Sequence, residues 1–178
     1  MNNKQVLDPA CGGKMFWFEK DSPEVLFCDI RQEEYILCDG RSFEVSPDLV
    51  ADFRSMPFKN ESFFLIVFDP PHLKYAGPNS WMAKKYGKLD SRSWKRYLRH
   101  GFEECWRVLK PGGTLIFKWN ETQIKLADVL ACLPQRPLFG QTTTQNLKTH
   151  WLVFYKPAPG ENMINGLAAC AEGGAVRP

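Results

Sequence analysis

Apolar residues follow two rhythms along this chain: short runs that end in an acid, and one long stretch at helical spacing. Short apolar runs bounded by turn residues read as buried strands, and apolar positions three and four apart read as an amphipathic helix. Val6-Leu7 opens a strand ending at Asp8, followed by the turn PACGG at 9–13. KMFWFEK at 14–20 predicts a short helix, interrupted by Ser22-Pro23. EVLFCDI at 24–30 predicts a strand ending in Asp29, and 33–47 predicts two short strands around the hairpin signal Asp39-Gly40. LVADF at 49–53 is another strand end, carrying Asp52, and SFFLIVF at 62–68 reads as a central strand buried on both faces.

A polar, basic and aromatic loop over 73–91 comes next, then a helix over 92–109. In that helix Trp94, Tyr97, Leu98, Phe102, Cys105, Trp106 and Leu109 form one side, and Arg92, Lys95, Arg96 and Arg99 the other. KPGG at 110–113 stops it, 114–119 predicts a strand, and 121–133 a helix ended by Pro134. A last strand covers 149–156, with a partner near 138–145. The expected organisation is one domain over 1–156 and a flexible tail over 157–178, rich in Gly, Ala and Pro. The alternation predicts an α/β fold: a Rossmann-like, doubly wound, mostly parallel sheet with an antiparallel C-terminal strand.

Composition narrows the function classes. The chain's 178 residues suffice for one full core. A net charge of +3 gives no global case for nucleic acid, so local clustering must carry one. The six cysteines include no CxxC pair and the three histidines are scattered, so no metal site is expected. Cys28 and Cys38 read as buried thiols rather than a redox pair, and Phe16, Trp17 and Phe18 as core aromatics. With no signal peptide ahead of Val6 and no membrane-length apolar run, a cytoplasmic protein without membrane contact is expected.

In doubly wound sheets, ligands bind at the carboxyl ends of the strands. Asp8, Asp29, Asp52 and Asp69 each end a separate predicted strand, which sends four acids to one rim. DPACGG lacks the spacing of a dinucleotide fingerprint and has no Walker lysine. Gly12 and Gly13 still permit close backbone approach. Asp29 suits ribose hydroxyls, Asp52 an exocyclic adenine amine, and Phe53 packing on the adenine ring. An adenosine with a cationic amino-acid tail meets all of these demands.

These residues resemble the class I S-adenosyl-L-methionine-dependent methyltransferases, and among them the DPPY-type amino-methyltransferases acting on adenine N6 or cytosine N4 in DNA. The resemblance spans roughly 6–156. DPACGG resembles their first motif, Asp29 the ribose acid, ADF at 51–53 the adenine-contacting motif, DPPH at 69–72 their Asp-Pro-Pro-aromatic motif, and LKPGGTLIF the approach to the fifth strand. Histidine stands at 72 in place of a larger aromatic, and no dedicated target-recognition domain is visible. The resemblance implies S-adenosyl-L-methionine held by Asp8, Pro9, Ala10, Cys11, Gly12, Gly13, Asp29, Ile30, Asp52 and Phe53. It also implies catalysis by Asp69, Pro70, Pro71 and His72. Asp69 and the Pro70 carbonyl would accept the two N–H groups of an amine, Pro71 would fix that carbonyl, and His72 would pack on the base.

Lys74, Lys84, Lys85, Lys88, Arg92, Lys95, Arg96 and Arg99 are candidate phosphate contacts, with Tyr75, Trp81 and Tyr86 for stacking. The expected partner is nucleic acid, DNA ahead of RNA, with a separate recognition subunit or a homodimer as open possibilities. An RNA or small-molecule amine methyltransferase, and a non-catalytic cofactor-binding subunit, are the alternatives.

Overall fold

The computed structural model describes residues 4–37, 39–77, 80–141 and 148–160. Its strands are β1 (Val6–Asp8), β2 (Val25–Asp29), β3 (Glu33–Ile36), β4 (Ser42–Val45), β5 (Leu49–Val50), β6 (Phe63–Phe68), β7 (Leu109–Asn120), β8 (Phe139–Gly140) and β9 (Thr149–Tyr155). Its helices are α1 (Trp81–Tyr86), α2 (Trp94–Val108) and α3 (Leu126–Leu130). Seven strands form one sheet in the order β5-β2-β1-β6-β7-β9-β8, and β3 and β4 form the expected hairpin. The strands from β5 to β7 run parallel, and β9 is antiparallel to both its neighbours. This is a Rossmann-like sheet, and the antiparallel C-terminal strand is present.

α2 forms because its apolar side is continuous: Trp94, Leu98, Gly101, Phe102, Cys105 and Val108 are all buried. Asp90 organises the preceding turn, its Oδ1 accepting from the Arg92 and Ser93 amides. α2 and α3 join Leu7, Ile66, Phe68, Leu115, Phe117, Trp119 and Phe154 in the main core. On the other side of β1 and β2 a smaller cluster gathers Cys11, Val25 and Phe27, with Val6 and Trp17 packed on it.

The predicted helix over 14–20 is absent, and a series of turns covers that smaller cluster instead. Lys14 adopts φ 53°, outside the right-handed helical region. Trp17 stacks edge-on against Phe27 at 5.3 Å and gives its indole N–H to Asp8, Phe16 turns toward Trp151, and Phe18 projects into solvent. Three consecutive aromatics would spread around a helix; the turns let two of them face inward.

Other boundaries shift for identifiable reasons. The 121–133 helix shrinks to Leu126–Leu130, because residues ahead of it make other bonds. The Ile124 carbonyl accepts from the Trp119 indole, and Glu121 accepts from the Leu126 amide. KPGG ends α2 as expected but becomes a bulge in β7: that strand advances five positions, from Leu109 to Thr114, where β6 advances two, from Phe63 to Leu65. The same irregularity turns Phe64 outward, 53% exposed beneath the Lys110 ammonium, so β6 is not buried on both faces throughout. The predicted partner strand near 138–145 appears as β8, with 142–147 outside the described residues. Cys38, Cys170 and the tail beyond Gly160 also lie outside them. No helix among the described residues is long and apolar enough to cross a membrane, and none of their His, Cys, Asp and Glu form a metal-holding group.

Candidate active site

The strand order fixes where the chemistry collects. β5, β2, β1 and β6 are consecutive neighbours, and Asp52, Asp29, Asp8 and Asp69 stand at or just beyond their carboxyl ends. A cavity of about 320 Å³ opens at this rim. Of the predicted cofactor residues, Pro9, Ala10, Cys11, Gly12, Gly13, Asp29, Ile30 and Phe53 line it. Asp69 and Pro71 line its other end, so the glycine turn and the DPP segment share one cavity.

Gly12 holds the turn at φ 49°, and its amide donates to Asp29 Oδ2 at 2.9 Å. A side chain at Gly13 would strike the Phe43 ring at 2.4 Å, so this glycine serves packing of the hairpin. Asp29 is fully engaged. Its Oδ1 accepts from the Arg31 amide at 2.9 Å and Arg31 Nε at 3.1 Å, and its Oδ2 also accepts from Arg31 Nη2 at 3.3 Å. Arg31 Nη1 continues to the Lys84 carbonyl at 2.8 Å, tying β2 to α1. Ile30 is 51% exposed at the lip.

Two of the four acids do not reach the cavity. Asp8 is fully buried, its Oδ2 accepting from Trp17 Nε1 at 2.7 Å and its Oδ1 from the Ala10 amide at 3.2 Å. Burial pushes its carboxyl up to about 7 against the pull of these hydrogen bonds, and Asp69 and Asp29 add to the rise. Asp52 is clasped by Arg54, which holds its carboxyl below the usual range; Arg54 itself lies over Tyr97 at 4.4 Å. Phe53, by contrast, reaches the cavity as an edge of the core, packed on Phe68 and Tyr97.

At the DPPH segment the outcome is split. Asp69 follows β6 directly, and its Oδ2 accepts from Lys118 Nζ at 2.5 Å. No donor among the described residues meets its Oδ1. Burial raises this carboxyl, opposed by Lys118. Pro70 is buried and Pro71 packs against Gly87, where an added Cβ would come within 3.1 Å of Pro71 Cγ. His72 does not present its ring to the cavity. It is buried, 5.1 Å from the Tyr86 ring and 6.3 Å from Trp119, and burial lowers it to about 4, so it is neutral.

Of the predicted substrate residues, Lys85 lines the cavity, as do Lys88 and Tyr86. Lys74, Tyr75, Trp81, Lys84, Arg92 and Arg96 do not. Lys74 lies over Tyr75, Lys84 over Tyr35, Arg92 is exposed in the turn before α2, and Lys95 and Arg96 are exposed on α2. The 74–75 backbone is pinned by Gln123, whose side chain takes both amides and returns an N–H to the Tyr75 carbonyl.

Sequence reasoning missed Met15, Phe16, Arg31, Gly87, Tyr97 and Lys118, all on the cavity wall. Lys118 carried a legible signal: it is the one charged residue in the strand-like run TLIFKW. Cys11, Cys28 and Cys105 are buried thiols as expected, and burial raises all three.

No protein-family model matches the chain, and no curated protein matches it. Among solved structures, it is similar to the PH0226 protein from Pyrococcus horikoshii OT3, with a TM-score of 0.53 and 17% identity over 85% of this chain and 81% of that one. It also matches a possible exported protein from Bordetella parapertussis, with a TM-score of 0.44 and 12% identity over 87% of this chain and 62% of that one. The first likeness establishes the fold alone.

Proposed function

We propose that this chain is an S-adenosyl-L-methionine-dependent methyltransferase acting on an exocyclic amino nitrogen, with adenine N6 in DNA as the favoured acceptor. One observation carries the reading: Asp69, whose Oδ1 meets no donor among the described residues, opens on the same cavity as the 12–13 turn and Asp29. The residues fit the cofactor. Gly12 brings backbone to the wall in a conformation that glycine adopts without strain, and Ile30 offers an exposed apolar surface beside Asp29. A ribose diol would take the place of Arg31 Nε and Nη2 on the Asp29 carboxylate, which has no spare lone pair otherwise. When bound, S-adenosyl-L-methionine supplies an electrophilic methyl group on sulfonium.

The protein's task is then to hold and align the acceptor. Asp69 Oδ1 accepts one amine N–H, and the Pro70 carbonyl accepts the other. Together they hold the nitrogen so that its lone pair points along the line of transfer. Tyr86, backed by His72, supplies the planar contact expected of residue 72. In duplex DNA the base must be extruded to reach this cavity.

The test is transfer from labelled cofactor to DNA, RNA and a panel of small amines, followed by mapping of the product. Methyl on adenine N6 of DNA is the expected outcome; label only in RNA or in a small amine moves the acceptor class. Asp69→Ala should bind cofactor normally and lose at least about 100-fold in transfer, the scale of losing one preorganised polar contact. Undiminished transfer by this variant, or a wild-type chain that binds no cofactor, overturns the proposal.

A further inference from the structure

β6 and β7 are parallel and in register at Phe68 and Phe117, so the next residues, Asp69 and Lys118, stand side by side. Along β7, Leu115, Phe117 and Trp119 turn into the main core, and Lys118 points the other way, onto the cavity wall. Its ammonium lies 2.5 Å from Asp69 Oδ2, 5.0 Å from the Phe16 ring and 5.6 Å from the Trp151 ring. The Lys118 side chain is 20% exposed and that of Asp69 13%. Placing a lysine in an apolar strand this deep is costly unless an anion and aromatic faces receive it.

We propose that Lys118 is a positioning residue for the acceptor: it occupies Asp69 Oδ2, keeps the carboxyl ionised, and reserves Oδ1 for the amine. The inference rests on the methyltransferase reading above. A protonated Asp69 would present an O–H donor and could not draw on an amine N–H in the same way. Burial favours that protonated form, and Lys118 opposes it.

No other cation among the described residues contacts Asp69. Arg31 is committed to Asp29, and Lys85 and Lys88 approach the cavity from α1 and the turn after it. The Asp69 charge raises Asp8, on β1, through like-charge repulsion; His72 is neutral, and burial holds the Tyr97 phenol of α2 protonated.

The experiment compares Lys118→Met and Lys118→Arg with the wild type. Transfer should fall on the acid side as Asp69 takes a proton, and removing the cation should move that limb to higher pH by about one to three units, the range for one adjacent opposite charge. Below both limbs that is a loss of about 10-fold in kcat for each pH unit the limb moves, shrinking as pH rises, while Lys118→Arg keeps the wild-type limb. A loss equal at every pH, or an unmoved limb, overturns the proposal. The Asp69 carboxyl is also titrated by carbon NMR, assigned with Asp69→Asn, which needs no turnover. If the wild type transfers no methyl, the methyltransferase reading fails on its own, and the titration still decides whether Lys118 governs Asp69. Should Lys118→Met not fold, Lys118→Gln, neutral but able to reach Oδ2, decides on the same readouts.

Discussion

The acid-ended strand and the DPPH motif point Asp8 and His72 toward a ligand, yet both lie behind the cavity wall. The sequence shows that a strand ends in an acid; it does not show whether a later segment folds back over it. Here Trp17 covers Asp8, and the Tyr86 ring covers His72. Burial favours the uncharged form of each, with opposite effects on stability. Asp8 rises from 3.8 to about 7, so between those values the folded chain holds a proton the unfolded chain has lost, and stability falls with increasing pH. His72 drops from 6.5 to about 4, so over that window the unfolded chain holds the extra proton, and stability rises with pH. At about 1.4 kcal/mol per pKa unit the two effects are of similar size, a few kcal/mol each, and largely offset from about pH 4 to 6.5. Asp8→Asn keeps an oxygen for the Trp17 indole and removes one side of this balance. Its denaturant-derived stability should climb by about 2–3 kcal/mol from pH 4.5 to 6.5, and exceed the wild type at pH 8. A variant that retraces the wild-type pH curve would show that Asp8 is not the group titrating.

At the scale of elements, α2 was legible because its apolar spacing is unbroken, yet its most constrained residue carries no side chain. In an isolated helix, alanine at Gly101 would gain about 1 kcal/mol. In this fold the added Cβ would lie 2.5 Å from Phe53 Cδ2 and Cε2, and 3.1 Å from Phe68 Cζ. Phe68 is fully buried and cannot yield easily, so Phe53 must move toward the cavity. Gly101→Ala should therefore cost about 1–3 kcal/mol in urea and weaken cofactor-analogue binding. A more stable variant with unchanged binding would refute the packing argument. The elements that escaped the sequence are those with no periodicity to read. α1 buries none of its residues, so no apolar stripe marks it within the 73–91 loop. The 121–133 segment has helical spacing, but its first residues anchor Trp119 and the 74–75 backbone instead. Lys118 is marked only by its charge within an apolar run, where strand patterning takes precedence over charge.

For the whole molecule, the parallel sheet could be read because its strands are apolar runs with acids at their ends. The placement of β9 between β7 and β8 could not, since pairing over 30 residues of separation leaves no local trace. That order matters for the site. β9 sets Trp151 beside Lys118, so the strand last in sequence braces the residue held against Asp69. The cavity thus draws on β1, β2, β6, β7, α1 and α2 together, and a ligand there binds only the assembled fold. Ligand at 100 times its Kd stabilises a folded state by about 2.7 kcal/mol, which raises Tm by roughly 5–10 °C for a domain of this size. S-adenosylhomocysteine should produce a shift of that order with the wild type and little or none with Asp29→Ala. Asp52→Ala separates the sequence expectation from the geometry. If Asp52 receives the adenine amine, its loss abolishes the shift; if it is held by Arg54 away from the cavity, the shift survives. The ion pair to Arg54 predicts survival.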